Sequence, residues 1–440
     1  MALCGVARSG RRGAEGTVVC VHRIEPVPIE ACRERTPDRV TWDTEGLPQL
    51  LAEAGSRGQA LLKIHSHPSG FAGFSRWDDK ADRELFSGAA GWLDTSFPGV
   101  SAVMLPDGRV FARSVSPAGD FAPVRRVVVA GPDIHIWDHG GERSDEIKLL
   151  DDRTAQMFGK RTTRLLSRLS VGVVGCSGTG SPVVEQLYRL GVGEVVLVDP
   201  EPIGGENVRR IYNSTLTDVA EERPKVDILA QAIERSDLPT GVVTRDKDLF
   251  NADIVRRLAR CDILMGCMDS VDGRHLLNRL AVYYSIPYVD VGVRIDADGE
   301  GGVDQVSGAV HYLQPDGSSL GSRGVYTPKQ LRAASLRRED PEAYREEVEE
   351  GYIRGVQEDR PAVISVNTLG ASLAINDLLA RLHPFRDEPN HRFATIRFSV
   401  TQTRLVPEPE GEPCPELANK AGRGDVRPLL DSPALSTRSR

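Results

Sequence analysis

The sequence predicts an α/β protein with two folded parts, of which the second is an open, doubly wound parallel sheet. From residue 151 onward, apolar runs of strand length alternate with segments of helical periodicity, a pattern typical of parallel strands joined by crossover helices. Before residue 121 the chain contains short apolar runs and one helical segment, and the turn sequence Pro106-Asp107-Gly108 separates two of these runs. This second pattern indicates a smaller α/β unit.

We assign the smaller unit to residues 1–120. Its predicted elements are strands at 18–22, 61–64, 100–105 and 110–112 and a helix at 47–54. The last two strands flank the turn, so we expect a hairpin there. We interpret residues 121–150 as a linker, because their one strand candidate, residues 126–130, is followed by a charged, glycine-containing stretch.

We assign the larger unit to residues 151–404. Its predicted strands are 171–175, 194–198, 241–244, 262–266 and 287–291. Its predicted helices are 180–190, 224–235, 250–260, 273–285 and 362–382. Residues 292–360 are less regular. Residues 405–440 are rich in proline, glutamate and serine, so we expect a flexible tail.

The composition argues against several classes of protein. A net charge of -8 does not suit a general nucleic-acid binder, since neutralising phosphates needs excess basic surface. No apolar run approaches the roughly 18 residues of a membrane span, and the first residues lack the apolar core of a signal peptide. The seven cysteines are scattered without CxxC pairs, which suits a reducing compartment. We therefore expect no membrane partner and a cytoplasmic location, most simply in a bacterium.

A glycine-containing loop follows the first strand of the larger unit. Gly175, Gly178 and Gly180 stand at its first, fourth and sixth positions. Such a loop between strand and helix lets bare backbone and the helix N-terminus approach a phosphate. Asp199, which follows the second strand, suits a ribose hydroxyl. A dinucleotide dehydrogenase would fit up to this point, although its fingerprint places glycine at the first, third and sixth positions.

The residues that follow favour ATP over a nicotinamide cofactor. Asn207, Arg210 and Lys225 add polar and cationic groups that suit a triphosphate. Asp269 follows the fourth strand and suits a magnesium ion. These residues therefore make an NAD-dependent oxidoreductase the less favoured alternative.

This series, from about residue 151 to about residue 398, resembles the E1-like adenylating enzymes, which include ThiF, MoeB and the ubiquitin-activating enzymes. The resemblance implies that Asp199 binds the ribose and that Asp269 holds magnesium. It further implies that Asn207, Arg210 and Lys225 contact the phosphates. Arg153 matches an arginine that reaches the ATP of the partner subunit, which implies a homodimer. Members of the family attach AMP to a C-terminal carboxylate, usually the Gly-Gly tail of a ubiquitin-like or sulfur-carrier protein.

A second group of polar residues lies in the smaller unit. His65 and His67 follow a strand in the sequence His65-Ser66-His67-Pro68 and, being two residues apart, can point to one ion. Asp78 comes at the start of the next helix and completes three ligands for zinc. The alternative is that one histidine ends the strand and Asp78 caps the helix.

This pattern resembles the JAB/JAMM (Mov34/MPN-like) metalloproteases, which include deubiquitinases. The resemblance implies that Ser75 stabilises the tetrahedral intermediate and that a glutamate activates the water. In the family this glutamate lies just ahead of a strand similar to Ala2-Leu3-Cys4-Gly5, and the sequence starts at Met1. Two expectations stay open: the start lies further upstream, or the domain binds metal without efficient hydrolysis.

Two features of the E1-like group are missing from the larger unit. No cysteine lies between Gly292 and Ala362, where thioester-forming relatives carry one. The positions resembling two zinc-binding CxxC pairs hold Ser319, Ser322, Cys414 and Leu417. Hydroxyl and alkyl groups cannot replace thiolates on zinc, so we expect no zinc in this unit.

The sequence therefore indicates a JAB–ThiF fusion that uses ATP, Mg²⁺ and Zn²⁺. The second unit would adenylate a ubiquitin-like or sulfur-carrier protein, and the first would process or deconjugate the same partner. The product would pass to a sulfur donor or to an E2-like protein. The alternatives are a scaffold that only binds a ubiquitin-like protein, adenylation of a small peptide in natural-product synthesis, and the oxidoreductase.

Overall fold

The computed structural model describes residues 1–11, 14–36, 39–93, 99–139, 152–297, 302–350, 353 and 363–436. The strands are β1 (Ala2–Arg11), β2 (Ala14–Ile24), β3 (Cys32–Arg35), β4 (Val40–Trp42), β5 (Ala60–Ser66), β6 (Gly99–Met104), β7 (Val110–Val115), β8 (Phe121–Pro123), β9 (Arg126–Ala130), β10 (Ile134–Asp138), β11 (Ser170–Val174), β12 (Glu194–Val198), β13 (Gly241–Arg245), β14 (Ile263–Gly266), β15 (Tyr288–Ala297), β16 (Val303–Leu313), β17 (Thr395–Ser399) and β18 (Arg404–Glu408). The helices are α1 (Leu47–Arg57), α2 (Arg76–Ala90), α3 (Asp152–Leu166), α4 (Gly180–Arg189), α5 (Leu216–Ala220), α6 (Lys225–Arg235), α7 (Ala252–Leu258), α8 (Val271–Tyr283), α9 (Pro328–Glu339), α10 (Pro341–Glu349) and α11 (Ile364–Leu382).

The first lobe is built on a sheet of order β2-β1-β5-β6-β7-β8. β5 and β6 are parallel, and the other neighbours are antiparallel. The hairpin expected around Pro106-Asp107-Gly108 is confirmed, since β6 and β7 pair in register and Gly108 has a φ of 83°. α1 and α2 pack on one face, where Leu51, Leu61 and Phe86 are buried.

The second lobe is built on a sheet of order β13-β12-β11-β14-β15-β16-β17-β18. The first five strands are parallel, so the doubly wound parallel sheet is confirmed. α4, α6 and α11 bury their apolar faces on one side of this sheet, and α7 and α8 bury theirs on the other. The carboxyl ends of β11, β12, β13 and β14 therefore meet at one edge.

The segment interpreted as a linker contains more structure than its single strand candidate. β8 adds an edge strand to the first sheet, and β9 and β10 form a hairpin. Arg126 pairs with Asp138 of the same hairpin at 2.6 Å and holds the hairpin to the second lobe through Asp262 at 2.8 Å. A local sequence pattern does not show such contacts, because Asp262 lies 136 residues away. Residues 140–151 lie outside the described part.

The segment expected to be a flexible tail is packed in the structure as far as Ser436. Leu429, Leu430 and Leu435 are buried in the core beside α7 and α8. Residues 421–431, here called the C-terminal clasp, run between the two lobes. Within the clasp, Gly422 N donates to Val282 O and Asp425 N donates to Val6 O, at 3.1 and 2.9 Å. The pattern of Pro, Glu and Ser gave no sign of this, since it does not reveal distant partners.

Among the described helices, none combines the length and the apolar character that crossing a bilayer would need.

Candidate functional site

The glycine loop after β11 forms one wall of a large cavity at the carboxyl edge of the second sheet. Gly175 has a φ of 90°, and a Cβ there would lie 2.8 Å from the backbone of Cys267. A Cβ on Gly180 would lie 1.8 Å from Gly175 O, and one on Gly178 would lie 2.4 Å from Asn367 Nδ2. The loop can close tightly and let its backbone approach a ligand because all three residues are glycines.

Asp199 connects this loop to the end of β12. Its carboxylate accepts hydrogen bonds from Cys176 N at 2.7 Å and Glu201 N at 3.0 Å. Burial raises the pKa of Asp199 above its ordinary value, and the nearby Lys225 ammonium opposes that rise. Lys225 is itself buried, with Nζ 4.0 Å from Asp199 and 2.6 Å from Glu201.

Asn207 and Arg210 lie together beside the glycine loop. Asn207 Oδ1 accepts from Arg210 Nη2 at 3.0 Å and from Ser177 Oγ at 3.2 Å. Within the described part of the chain, Arg210 Nε is buried without a hydrogen-bond partner. A buried guanidinium nitrogen that lacks an acceptor suits an anionic ligand. These residues therefore fit the phosphates of a nucleotide.

Asp269 lies between β14 and α8 and lines the same cavity as Gly175, Gly178, Asp199 and Lys225. A carboxylate beside a phosphate-binding loop fits a magnesium ion. Arg274, one turn into α8, instead pairs with the buried Asp290 of β15. Asp290 also accepts from Tyr288 Oη at 2.7 Å. The side chain of Arg274 is therefore held against β15 of the second sheet.

Asn367 and Arg338 are examples of cavity residues that no sequence motif predicts. Asn367 of α11 is 2% exposed and lines the cavity next to Gly178. Arg338 of α9 also lines it. Neither lies in a recognisable motif; a polar residue inside the otherwise apolar helix at 362–382 was the only available signal for Asn367. The side chain of Arg153 lies outside the described residues, although its backbone belongs to α3.

In the first lobe, the structure brings the side chains of His65, His67 and Asp78 together. One ligand atom from each lies within 4.8 Å of the others. His65 Nε2 lies 3.1 Å from His67 Nε2 and 3.0 Å from Asp78 Oδ1. His67 is oriented by a 2.8 Å contact between Nδ1 and Phe71 O, which leaves Nε2 facing the cluster. Two imidazoles and a carboxylate at these separations fit a zinc ion. Among the described residues, no glutamate joins the cluster.

Asp78 serves the helix and the cluster with different oxygens. Its Oδ2 accepts from Ser75 N and Ser75 Oγ, both at 2.7 Å, and Ser75 Oγ in turn accepts from Asp78 N in a capping box. Its Oδ1 faces His65. Although burial opposes it, hydrogen bonding from His65 and Ser75 lowers the pKa of Asp78. Capping the helix and binding a metal are therefore compatible roles for this residue.

Three buried cysteines of the second lobe, Cys176, Cys261 and Cys267, are poor nucleophiles. Burial raises the pKa of Cys261 to about 12, and it also raises the pKa values of Cys176 and Cys267. Thiols of this kind stay protonated near neutral pH, whereas the thiolate is the reactive form. Ser319 and Ser322, at the positions resembling a zinc pair, bond to each other through Ser319 N and Ser322 Oγ at 2.8 Å. The expected absence of zinc there stays a prediction.

The parallel sheet, the glycine loop and the acidic residue after β12 define a Rossmann-like α/β protein. The chain belongs to the ThiF family: the model of that family matches residues 151–413, more than half of the chain.

Curated relatives match part of this region. The chain is 32% identical over 125 residues to "Adenylyltransferase and sulfurtransferase MOCS3" of Danio rerio, which is 28% of this chain and 27% of that protein. It is 28% identical over 154 residues to "SAMP-activating enzyme E1" of Haloferax volcanii, covering 35% and 52%. It is 25% identical over 117 residues to "Sulfur carrier protein ThiS adenylyltransferase" of Escherichia coli K12, covering 27% and 46%. The chain thus spans from about a quarter to about half of the length of these relatives.

Proposed function

We propose that the second lobe catalyses ATP-dependent adenylation of the C-terminal carboxylate of a ubiquitin-like or sulfur-carrier protein. The observation that supports this most strongly is that one cavity brings together the glycine loop and the polar residues proposed to bind ATP. These residues are Asp199, Asn207, Arg210, Lys225 and Asp269. The names of the ThiF-family relatives point the same way. In this reaction the carboxylate attacks the α-phosphate, pyrophosphate leaves, and an acyl-adenylate forms.

Each cavity residue then has a task. Asp199 would hold the ribose, and Asn207, Arg210 and Lys225 would stabilise charge on the phosphates. Asp269 would hold Mg²⁺. Because Cys176, Cys261 and Cys267 remain protonated, the acyl-adenylate would pass to a sulfur donor or an E2-like protein rather than to one of these three thiols. By family resemblance, Arg153 would complete the site of a partner copy in a homodimer.

Pyrophosphate exchange into ATP tests the adenylation proposal. The exchange should need Mg²⁺ and an acceptor protein or peptide with a free C-terminus. Asp269→Ala should lower its rate at least about 100-fold, since the metal is lost. Asp253→Ala is the matched control, because Asp253 is a carboxylate that is 89% exposed. Tight NADH binding without ATP binding would instead support an oxidoreductase.

We further propose that the first lobe is a zinc-binding, JAMM-type peptidase domain acting on the same partner. The cluster of His65, His67 and Asp78 supports this proposal. A zinc ion held there would act as a Lewis acid and activate a water molecule. By family resemblance Ser75 would stabilise the tetrahedral intermediate; its hydroxyl, which donates to Asp78 Oδ2 at 2.7 Å, would have to turn from that partner to do so.

Metal analysis tests this second proposal. The purified chain should carry about one zinc ion in the first lobe, and His67→Ala should lose it. The control is His391→Ala, which removes an exposed histidine of the second lobe. Zinc retained in His67→Ala would contradict the assignment. Zinc binding without cleavage of a ubiquitin-like fusion would favour the scaffold alternative for this lobe.

A further inference from the structure

α9 and α10 lie over the cavity, and the end of α9 contacts the cavity wall through Arg338. Its Nε donates to Asp272 Oδ2 at 2.9 Å, and its guanidinium carbon lies 3.5 Å from the centre of the Phe250 ring. Arg338, Asp272 and Phe250 all line the cavity. Arg338 therefore bridges two parts of the wall that come from different segments of the chain.

α9 is held by polar contacts near both ends and packs Leu331 against the core between them. At its N-terminal end, Tyr326 Oη lies 3.0 Å from His275 Nδ1 of α8. At its C-terminal end, Arg338 compensates the carboxylate of Asp272, which is 7% exposed. Within α9 itself, Ala333 is the buried residue.

The order of strands indicates which part of a nucleotide would lie near Arg338, a step that rests on the proposed function. The phosphate-type loop follows β11, and Asp199 follows β12. Phe250 lies after β13, which is the next strand in the sheet. Across the sheet from β11 to β13, the phosphates, the ribose and the base of a nucleotide would therefore follow one another. The base would lie near Phe250.

We propose that Arg338 is a nucleotide-binding residue that stacks on the adenine base. The planar guanidinium of arginine stacks on aromatic faces, and a lysine ammonium does not reproduce that plane. Phe250 supports one face of the guanidinium, and the base would take the other. α9 would thus be part of the ATP site. The guanidinium of Arg338 would lie between the base and Phe250, which follows β13.

The test compares KM and kcat for ATP in the pyrophosphate-exchange assay. Arg338→Ala should raise KM roughly 3- to 30-fold with little change in kcat. Arg345→Ala removes an exposed arginine of α10, whose Nε bonds to Pro341 O, and should change neither value. Phe250→Leu should act in the same direction as Arg338→Ala, because it removes the supporting ring.

Two results would overturn the inference. One is an equal KM in Arg338→Ala and Arg345→Ala. The other is full rescue by Arg338→Lys, which would mean that the charge on Asp272 matters and the stacking does not. If the chain shows no exchange, titration with a fluorescent ATP analogue separates the two ideas. Weaker binding in Arg338→Ala would then support the stacking while the adenylation proposal fails, and unchanged or absent binding would overturn the stacking as well.

Discussion

At the scale of single residues, the buried Lys225 favours the charged form of Asp199, the acid proposed to bind the ribose. Lys225 lies near both Asp199 and Glu201. Burial favours the protonated form of Asp199, and the ammonium favours the carboxylate. A ribose hydroxyl donates best to the carboxylate, so the protonation of Asp199 should be visible in nucleoside binding.

We predict that Lys225→Met shifts the pH dependence of adenosine binding to higher pH. Removing the cation raises the pKa of Asp199 further, so the loss of affinity on acidification should begin nearer to neutrality. Adenosine is the right probe because it lacks the phosphates that Lys225 would also bind. Isothermal titration across the acidic range measures the shift. The control, Lys247→Met, removes an exposed lysine, and an identical profile in both variants would contradict the prediction.

The sequence predicted individual site residues where a motif gives the chemistry and the neighbouring strand gives the position. Gly175, Asp199 and Asp269 follow predicted strands and do line one cavity. Arg274 also lines this cavity, but no motif predicts its ion pair with Asp290 of β15. Such pairing depends on the packing of side chains from separate elements, and a local pattern does not contain it.

At the scale of elements, α2 is held to the first sheet by a buried carboxylate. Asp82 is fully buried and bonds to Lys63 of β5 and to Arg113 of β7, the latter at 2.7 Å. Arg113 also lies between the rings of Phe74 and Phe121. Asp82 lies one turn after Asp78, so this network fixes the helix that supplies the aspartate to the histidine cluster.

We predict that Asp82→Ala destabilises the first lobe by about 3 kcal/mol, because it leaves two cations without their buried countercharge. Asp79→Ala should cost less than about 1 kcal/mol: Asp79 bonds to the same Arg113 but is 36% exposed. Urea unfolding followed by tryptophan fluorescence measures both, since Trp42, Trp77 and Trp92 are three of the four tryptophans. Equal losses in the two variants would refute this role for Asp82.

Elements with strong periodicity were predicted well, whereas the antiparallel end of the second sheet was not. Residues 292–360 looked irregular, but β15 continues to Ala297 and β16 runs from Val303 to Leu313. β16 contains Ser307, Gly308 and Ala309, which have weak strand preference. It forms because β15 and β17 pair with it on both sides.

At the scale of the whole molecule, the family resemblance implies a homodimer in which Arg153 of each copy would reach the ATP site of the other. We predict that Arg153→Ala and Asp269→Ala are each inactive in pyrophosphate exchange and that mixing them restores part of the activity. Mixed dimers would contain one site with both residues intact. The two variants are mixed under native conditions, and two different affinity tags verify that mixed dimers have formed. Pyrophosphate exchange is then measured. No recovery in verified mixed dimers would show that each chain is self-sufficient.

The C-terminal clasp also has a consequence for biosynthesis. The ring of His22 contacts Ala421 O at 2.7 Å across 399 residues of chain. A ribosome that adds about 5 to 20 residues per second delivers the second partner roughly 20 to 80 seconds after the first. During that interval β2, the edge strand of the first sheet, lacks its contact with the clasp. For much of it Cys20 also lacks Tyr284 O, the acceptor of its thiol hydrogen bond. We therefore expect chaperones to bind the newly synthesised first lobe until the clasp has been translated.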